Sequence, residues 1–393
     1  MSVQEMVAGI YSVGSKDKHR LLFDQLMNLS EGTSYNAFLI KGSEKTALID
    51  TVYPPCHEEL ISKLKELGIE KLDYIVANHG EQDHTGTLPE LLALFPEAKV
   101  VTNQKCMDIT SEFLPIDKSR YQIVAEGDVL SLGDKTLQFM MMPWVHWPDT
   151  MFAWMKEERI LFTTDFFGAH MTNYDLFWDG TDSVVPLAKA YYSEIMMPYA
   201  RVWQKYLDKV EALNPAIIAP SHGPVYKDPK FIIDLYRKWA HVKENKMILL
   251  SVSMYGSTDA MADYLQKQVE AKGIQVKRYD AVHLDVTGLA NDLVDAKGII
   301  VASPTVLTGP HPMVMEPLCL LNVLRPSIQY VGLIGSYSWG TQIAAQVLNL
   351  IPNLKTVPVL DPVLIKGYPK EAGFKALDVL AGQIAEKHDL SGA

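Results

Sequence analysis

Apolar and polar positions along this chain fall into short runs whose period changes from region to region, and the changes mark out its elements. Residues 9–13, 34–40 and 45–50 are apolar-rich stretches parted by glycine-containing turns, which predicts successive strands. Residues 58–67 instead place Leu60, Ile61, Leu64 and Leu67 on one helical face. The run at 72–77 reads as a buried strand, and Thr87-Leu88-Pro89 opens a helix toward Leu94, because proline is tolerated in a first turn. From Val100 to Leu161 strand patterns dominate. A helix over 231–242 then closes the first part.

After it the pattern becomes a regular succession of strand and helix. Strands are predicted at 247–252, 274–279, 298–302 and 328–334, with a short one at Val357-Pro358-Val359; helices begin at Asp259, lie around Asp292, and cover 342–350 and 370–387. Such a βα succession implies a doubly wound parallel sheet of flavodoxin type, with a ligand at the carboxyl ends of its strands. The chain therefore divides into two domains, 1–245 and 246–393, with no low-complexity linker or internal repeat.

The candidate chemistry of the first domain sits where its strands stop. Asn78-His79-Gly80-Glu81-Gln82-Asp83-His84 follows the strand at 72–77, and His146, Asp165 and His222 end three later apolar runs. Imidazole and carboxylate together suit divalent first-row metals, and rigid scaffolds present such groups on the loops after strands. His79, Glu81, Asp83, His84, His146, Asp165 and His222 supply seven ligands, enough for two metals sharing Asp165. A lone strand-end histidine is usually structural, and His19, His57, His241, His283, His311 and His388 are read that way. His170, close after Asp165, is a candidate to sit behind the ligands.

Three loops of the second domain end strands. Ser253-Met254-Tyr255-Gly256-Ser257-Thr258 offers hydroxyls and backbone N–H groups to a phosphate at a helix N-terminus, and matches neither the nucleoside-triphosphate nor the dinucleotide glycine pattern. Ser303-Pro304-Thr305-Val306-Leu307 and Gly335-Ser336-Tyr337-Ser338-Trp339-Gly340 offer ring-edge hydrogen bonds and aromatic stacking, as an isoalloxazine needs.

Composition narrows the partners. A formal net charge of -11 over 393 residues argues against nucleic acid, which needs clustered positive charge. No apolar run is long enough for a membrane span, so a cytoplasmic protein is expected. Cys56, Cys106 and Cys319 form no C-x-x-C pair, fit a reducing compartment, and leave no iron-sulfur or rubredoxin module within the chain.

The ligand pattern resembles the metallo-β-lactamase fold, whose hydrolases carry H-x-H-x-D-H. Here Glu81 stands at the second histidine, adding a hard anionic oxygen that moves the preference from zinc toward iron or manganese. The variant H-x-E-x-D-H, with His146-Trp147-Pro148-Asp149, resembles the flavodiiron proteins, and the three flavin-type loops resemble theirs. The resemblance spans nearly the whole chain. It implies an αββα sandwich followed by the flavodoxin-like domain, FMN and two iron ions as cofactors, and reduction of dioxygen to water or nitric oxide to nitrous oxide. By it His79, Glu81, His146 and Asp165 hold one iron, while Asp83, His84, bridging Asp165 and His222 hold the other. It also implies a head-to-tail homodimer or a dimer of dimers, and an external donor: rubredoxin, a flavin reductase or reduced deazaflavin. Departures are visible at Asp17-Lys18 and Phe23-Asp24-Gln25, where relatives often have Asp-Trp and Phe-His-Gly, at Ser338, where they tend to have glycine, and at Leu307-Thr308, where they tend to have asparagine. Two other readings are a zinc hydrolase, which Glu81 opposes, and a flavin carrier or sensor with a structural metal domain, which the full ligand set opposes.

Overall fold

The computed structural model describes residues 3–389, which fall into two compact units divided between Arg237 and Lys238. The division falls within the helix Pro229–His241, a few residues before the boundary expected at 245/246.

The first unit holds two sheets. One is seven-stranded, in the order Gln4–Val7, Ile10–Ser12, Phe38–Lys41, Thr46–Ile49, Tyr74–Val76, Lys99–Thr102 and Tyr121–Ile123. The other is five-stranded, in the order Val129–Ser131, Thr136–Met141, Met151–Met155, Ile160–Thr164 and Ile217–Pro220. Side chains alternate across the first sheet, as the strand pleat requires. Phe38, Ile40, Ala47 and Ile49 face Phe139, Ala153, Met155 and Phe162 of the second sheet in one core. Leu39, Leu48 and Ile75 point the other way, onto Leu60, Leu64, Leu88 and Leu91 of the helices His57–Glu66 and Leu88–Leu94. On the far side of the second sheet, Phe152 and Phe166 pack with Trp203 and Tyr236 from the last two helices of the unit. This is the αββα layering.

The region expected to be dominated by strands also contains the helix Gln104–Phe113, which a continuous strand reading omits. Asn103 caps it by accepting from the Cys106 N–H at 3.1 Å, and Cys106, Met107 and Thr110 form its buried face.

In the second unit the parallel sheet runs Gln275–Asp280, Lys246–Ser251, Gly298–Val306, Tyr330–Tyr337, Val363–Lys366. In chain order this is 2-1-3-4-5, so the topological switch lies between the first and third strands. The fifth strand corrects the expectation at Val357-Pro358-Val359. There only Val359 bridges to Val331, and the ladder forms later, with Ile334 opposite Val363. Proline lacks the N–H a ladder needs, which is why the run at Pro358 does not extend. The helix Met315–Leu324 was not anticipated either; Leu318, Leu320, Leu321 and Leu324 bury most of its circumference, so it shows no amphipathic period.

Candidate metal centre and flavin cleft

The seven predicted ligands converge because four strands of the first unit deliver their C-terminal loops to one end of the sandwich. His79 and Glu81 follow Tyr74–Val76, His146 follows Thr136–Met141, Asp165 follows Ile160–Thr164, and His222 follows Ile217–Pro220. The neighbouring strand Thr46–Ile49 leads into Asp50, which accepts from the Asn78 backbone and side chain at 2.8 and 3.3 Å and so fixes the start of the His79 loop. Gly80 leaves room for a tight loop: a Cβ would stand 3.0 Å from Asp149 Oδ2 and 3.1 Å from Ile109, closer than ordinary contact.

The donor atoms form two groups, His79, Glu81, His146 and Asp165 in one, and Asp83, His84 and His222 in the other, each with its atoms within 4.8 Å of one another. Asp165 belongs to both. Its Oδ2 lies 3.4 Å from His79 Nε2 and 3.1 Å from His146 Nε2, while its Oδ1 lies 3.0 Å from His84 Nε2 and 3.2 Å from His222 Nε2. Glu81 Oε2 completes the first group, 3.1 Å from His79 and 3.3 Å from His146. Asp83 completes the second, 3.3 Å from His84 and 3.4 Å from His222.

Three carboxylates and four imidazoles in so small a volume need compensation. Both Asp83 oxygens and His84 Nε2 are buried with no hydrogen-bond partner among the described residues. Leaving such atoms unpaired is costly, and a cation between them removes the cost. Without a cation, protons do part of that work. Burial disfavours the imidazolium, but Asp165 with Glu81 raises His146 to about 9, and Asp165 with Asp83 raises His222 to about 10. Burial alone would raise Asp165, yet His84, His146 and His222 hold it well below the usual carboxylate range.

This predicts a pH signature. Ligation needs neutral imidazole, so metal uptake near about pH 7 expels protons. In the metal-free protein the two charged histidines stabilise the fold fully below the ordinary value of 6.5, and the effect is lost as pH rises through about 9 and about 10. The metal-free form is therefore expected to lose thermal stability across that window while the metal-loaded form does not. Parallel unfolding curves for the two forms across the window would contradict it.

Behind the ligands stand groups that orient them. Asp149 is fully buried; its Oδ2 lies 3.4 Å from His79 Nδ1 and accepts from the Gly80 N–H at 2.6 Å. His222 donates from Nδ1 to the Ser34 carbonyl at 2.6 Å. Each contact leaves Nε2 as the nitrogen facing the centre. Asp149→Asn is expected to weaken metal affinity about 10–100-fold, as loss of a carboxylate behind a histidine ligand typically does; a competitive chelator titration measures it. Asp149 stands in His146-Trp147-Pro148-Asp149, but its partner His79 is far away in the chain, so local spacing does not mark its role.

His170 lies behind the second group, its ring 5.4 Å from His222 and 4.8 Å from Tyr191, with Nδ1 and Thr33 Oγ1 2.8 Å apart. Burial, reinforced by His222, pushes it well below the ordinary imidazole range, so it is neutral. Phe23, from the departing Phe23-Asp24-Gln25 stretch, packs 4.4 Å from His170 and 6.0 Å from His222. Burial followed by repulsion from Glu81 and Asp83 raises the adjacent Asp24.

The second unit has an open cleft of about 140 Å³ at the carboxyl ends of its strands. Ser253, Met254, Tyr255, Ser257 and Thr258 line it from the first loop. Pro304 and Thr305 line it from the second, and Ser336, Tyr337 and Ser338 from the third. Thr258 Oγ1 and Ser336 Oγ, 3.0 Å apart, tie the first loop to the third. Gly367, just after the strand Val363–Lys366, also lines the cleft. The remaining predicted positions do not. Gly256, at φ +82°, shapes the turn before the helix Ser257–Glu270. Ser303 is turned into the structure, its Oγ accepting from the His311 N–H at 2.9 Å. Val306, Leu307, Trp339 and Gly340 lie outside the lining, with Leu307 87% and Trp339 73% exposed. Leu307 and Thr308 sit at φ +48° and +74° in the turn before Gly309–Pro310, a left-handed conformation that asparagine accepts more readily.

A sandwich with seven converging ligands and a flavodoxin-like unit with a cleft at its switch point define a two-domain metalloflavoprotein architecture. Two family models match it: the ODP family beta lactamase over residues 33–223 and flavodoxin over residues 249–382. The nitric oxide reductase of Moorella thermoacetica is 38% identical over 341 residues, 84% of this chain and 85% of that one. The structure of rubredoxin oxygen:oxidoreductase from Desulfovibrio gigas superposes with a TM-score of 0.93 at 28% identity, covering 100% of both chains. That of the flavodiiron protein from Giardia intestinalis gives 0.92 at 26% identity, covering 99% of this chain and 97% of the other. The chain belongs to the flavodiiron family.

Proposed function

We propose that this chain is an oxidoreductase that reduces dioxygen to water, nitric oxide to nitrous oxide, or both, with electrons passing from an external donor through FMN to a diiron centre. The observation that carries the reading is Asp165, whose two carboxylate oxygens face the two ligand groups separately. One iron would be held by His79, Glu81, His146 and Asp165, and the other by Asp83, His84, Asp165 and His222. The donor set suits iron, because its three carboxylates are hard oxygen ligands and no cysteine takes part. FMN would be held in the cleft, with the loop before the helix Ser257–Glu270 offering hydroxyls and N–H groups suited to a phosphate, and Pro304, Thr305, Tyr337 and Ser338 offering contacts suited to a flavin ring.

When bound, the flavin would supply one- or two-electron chemistry and the iron pair would supply electrons together to a small diatomic substrate. The protein's own groups arrange the rest. Asp165, with one oxygen toward each ligand group, would tie the two ions together. Asp149 and Ser34 fix the faces that His79 and His222 present. Glu81 and His146, 21% and 12% exposed, are the least buried ligands, so a small gas reaches the centre from their side. Trp147, edge-on to His79 at 4.9 Å, helps keep bulk water away.

Relatives named nitric oxide reductase and rubredoxin-oxygen oxidoreductase support both gases as substrates. For the donor we propose rubredoxin, a flavin reductase or reduced deazaflavin. We also propose a head-to-tail homodimer or dimer of dimers: Tyr255, Leu307 and Trp339, one on each of the three loops that follow the strands, are 89%, 87% and 73% exposed and would be covered by a second copy. Among the described residues no helix is long and apolar enough to cross a membrane. The three free cysteines suit a reducing cytoplasm.

The test is anaerobic reconstitution with FMN and ferrous iron, followed by gas electrodes for oxygen and nitric oxide. Iron retained at both ligand groups with consumption of either gas is the expected result. Zinc retention with ester hydrolysis and no gas consumption would overturn the reading.

A further inference from the structure

We propose that Tyr199 and Trp144 form a one-electron relay that carries stray oxidising equivalents from the metal centre to solvent. The proposal rests on the oxidoreductase reading above and concerns what happens when that reaction is starved of electrons.

Three aromatic rings run from the centre to the surface of the first unit. The His146 ring, whose Nε2 faces Glu81 and Asp165, lies 6.4 Å from the ring of Tyr199. Tyr199 in turn stacks on Trp144, with centroids 6.3 Å apart and planes 19° from parallel. Tyr199 is partly buried, and Trp144 is 46% exposed. Neighbouring rings in near contact pass single electrons readily, and tyrosine and tryptophan are the side chains that yield them to strong oxidants.

Packing alone explains Trp144 poorly. Its backbone is at φ +69°, a conformation bulky side chains rarely adopt, and its N–H donates to the Trp147 carbonyl at 2.7 Å. The chain thus accepts an unfavourable conformation at a residue that leaves nearly half its surface in water. Such outliers are worth a functional hypothesis when they stand beside an active centre. The contrast with Tyr191 sharpens the point. Tyr191 lies 5.7 Å from His222 but is 1% exposed, so a radical there has no contact with solvent. The Tyr199 branch ends in water.

The relay balances as follows. An oxidising equivalent retained at the centre takes one electron from Tyr199, whose phenol O–H breaks and releases its proton to water. The phenoxyl radical takes an electron from Trp144 and a proton from water, restoring tyrosine. The indole radical cation takes an electron from a small thiol in solution. Two such events convert two thiols into one disulfide and two protons.

The test uses the FMN- and iron-loaded protein, given oxygen with less reductant than full reduction requires. Freeze-quenched EPR and peptide mass spectrometry are the readouts. A tyrosyl or tryptophanyl radical is expected, with oxidation products concentrated at Trp144. Trp144→Phe should confine the radical to Tyr199, and Tyr199→Phe should abolish oxidation at Trp144. Both variants should keep the initial rate of oxygen consumption but inactivate after severalfold fewer turnovers. Added glutathione should extend the lifetime of the parent protein and not that of Tyr199→Phe. Oxygen consumption with no radical and no oxidation at Trp144, or equal lifetimes for all forms, would overturn the relay alone. Iron-loaded protein that consumes no gas would overturn the oxidoreductase reading and the relay with it.

Discussion

Replacing Asp165 with alanine is expected to strip both irons from the protein and to lower gas reduction by at least about 10³-fold, with FMN still bound. Asp165 alone touches both ligand groups, through four imidazoles at 3.0–3.4 Å. Its loss leaves each ion three protein ligands and removes the carboxylate that holds the pair at a fixed spacing. It also removes the main attraction for the His146 and His222 protons, so both histidines should titrate nearer the ordinary value. The flavin cleft is built wholly from residues of the second unit and should be unaffected. Iron analysis and flavin absorbance on one sample distinguish the cases. A variant that keeps one iron would mean that the two ligand groups bind independently.

Glu81→His is expected to have the second largest effect. It restores H-x-H-x-D-H, replacing the carboxylate whose Oε2 sits between His79 and His146. The first ion would then have three nitrogens and the shared Asp165, a set that favours tetrahedral zinc. Loaded from an equimolar mixture of ferrous iron and zinc, the variant should take up zinc preferentially, and its gas reduction should fall about 10²-fold or more. Retention of iron and activity would show that the metal preference lies elsewhere than Glu81.

The proposed ligands were legible in the sequence because they cluster just after apolar runs, and a strand end is a local feature. What oriented them was not. Asp149 serves His79 and Ser34 serves His222 through contacts between distant segments, which no local spacing reports. Asp50 could have been found by the same strand-end rule, since it directly follows Thr46–Ile49. The βα succession gave away the second unit, but its edge strand Val363–Lys366 was displaced to Val357-Pro358-Val359. Both stretches have the β-branched composition of a strand, and only tertiary pairing with Tyr330–Tyr337 separates them. The helix Gln104–Phe113 was hidden by β-branched and polar residues, although Asn103 three positions before Cys106 is a capping signal. Among the flavin loops, strand-end position identified the cleft but not which side chains turn into it, as Ser303 shows.

The central claim is that electrons reach a diatomic through FMN and a metal pair bridged by Asp165. Anaerobic stopped-flow tests it most directly: iron- and FMN-loaded protein is fully reduced, then mixed with oxygen and separately with nitric oxide while flavin reoxidation is followed. Fast reoxidation with at least one gas, lost in Asp165→Ala, is the predicted result. Slow reoxidation with both gases, at the same rate in the variant, would contradict the account.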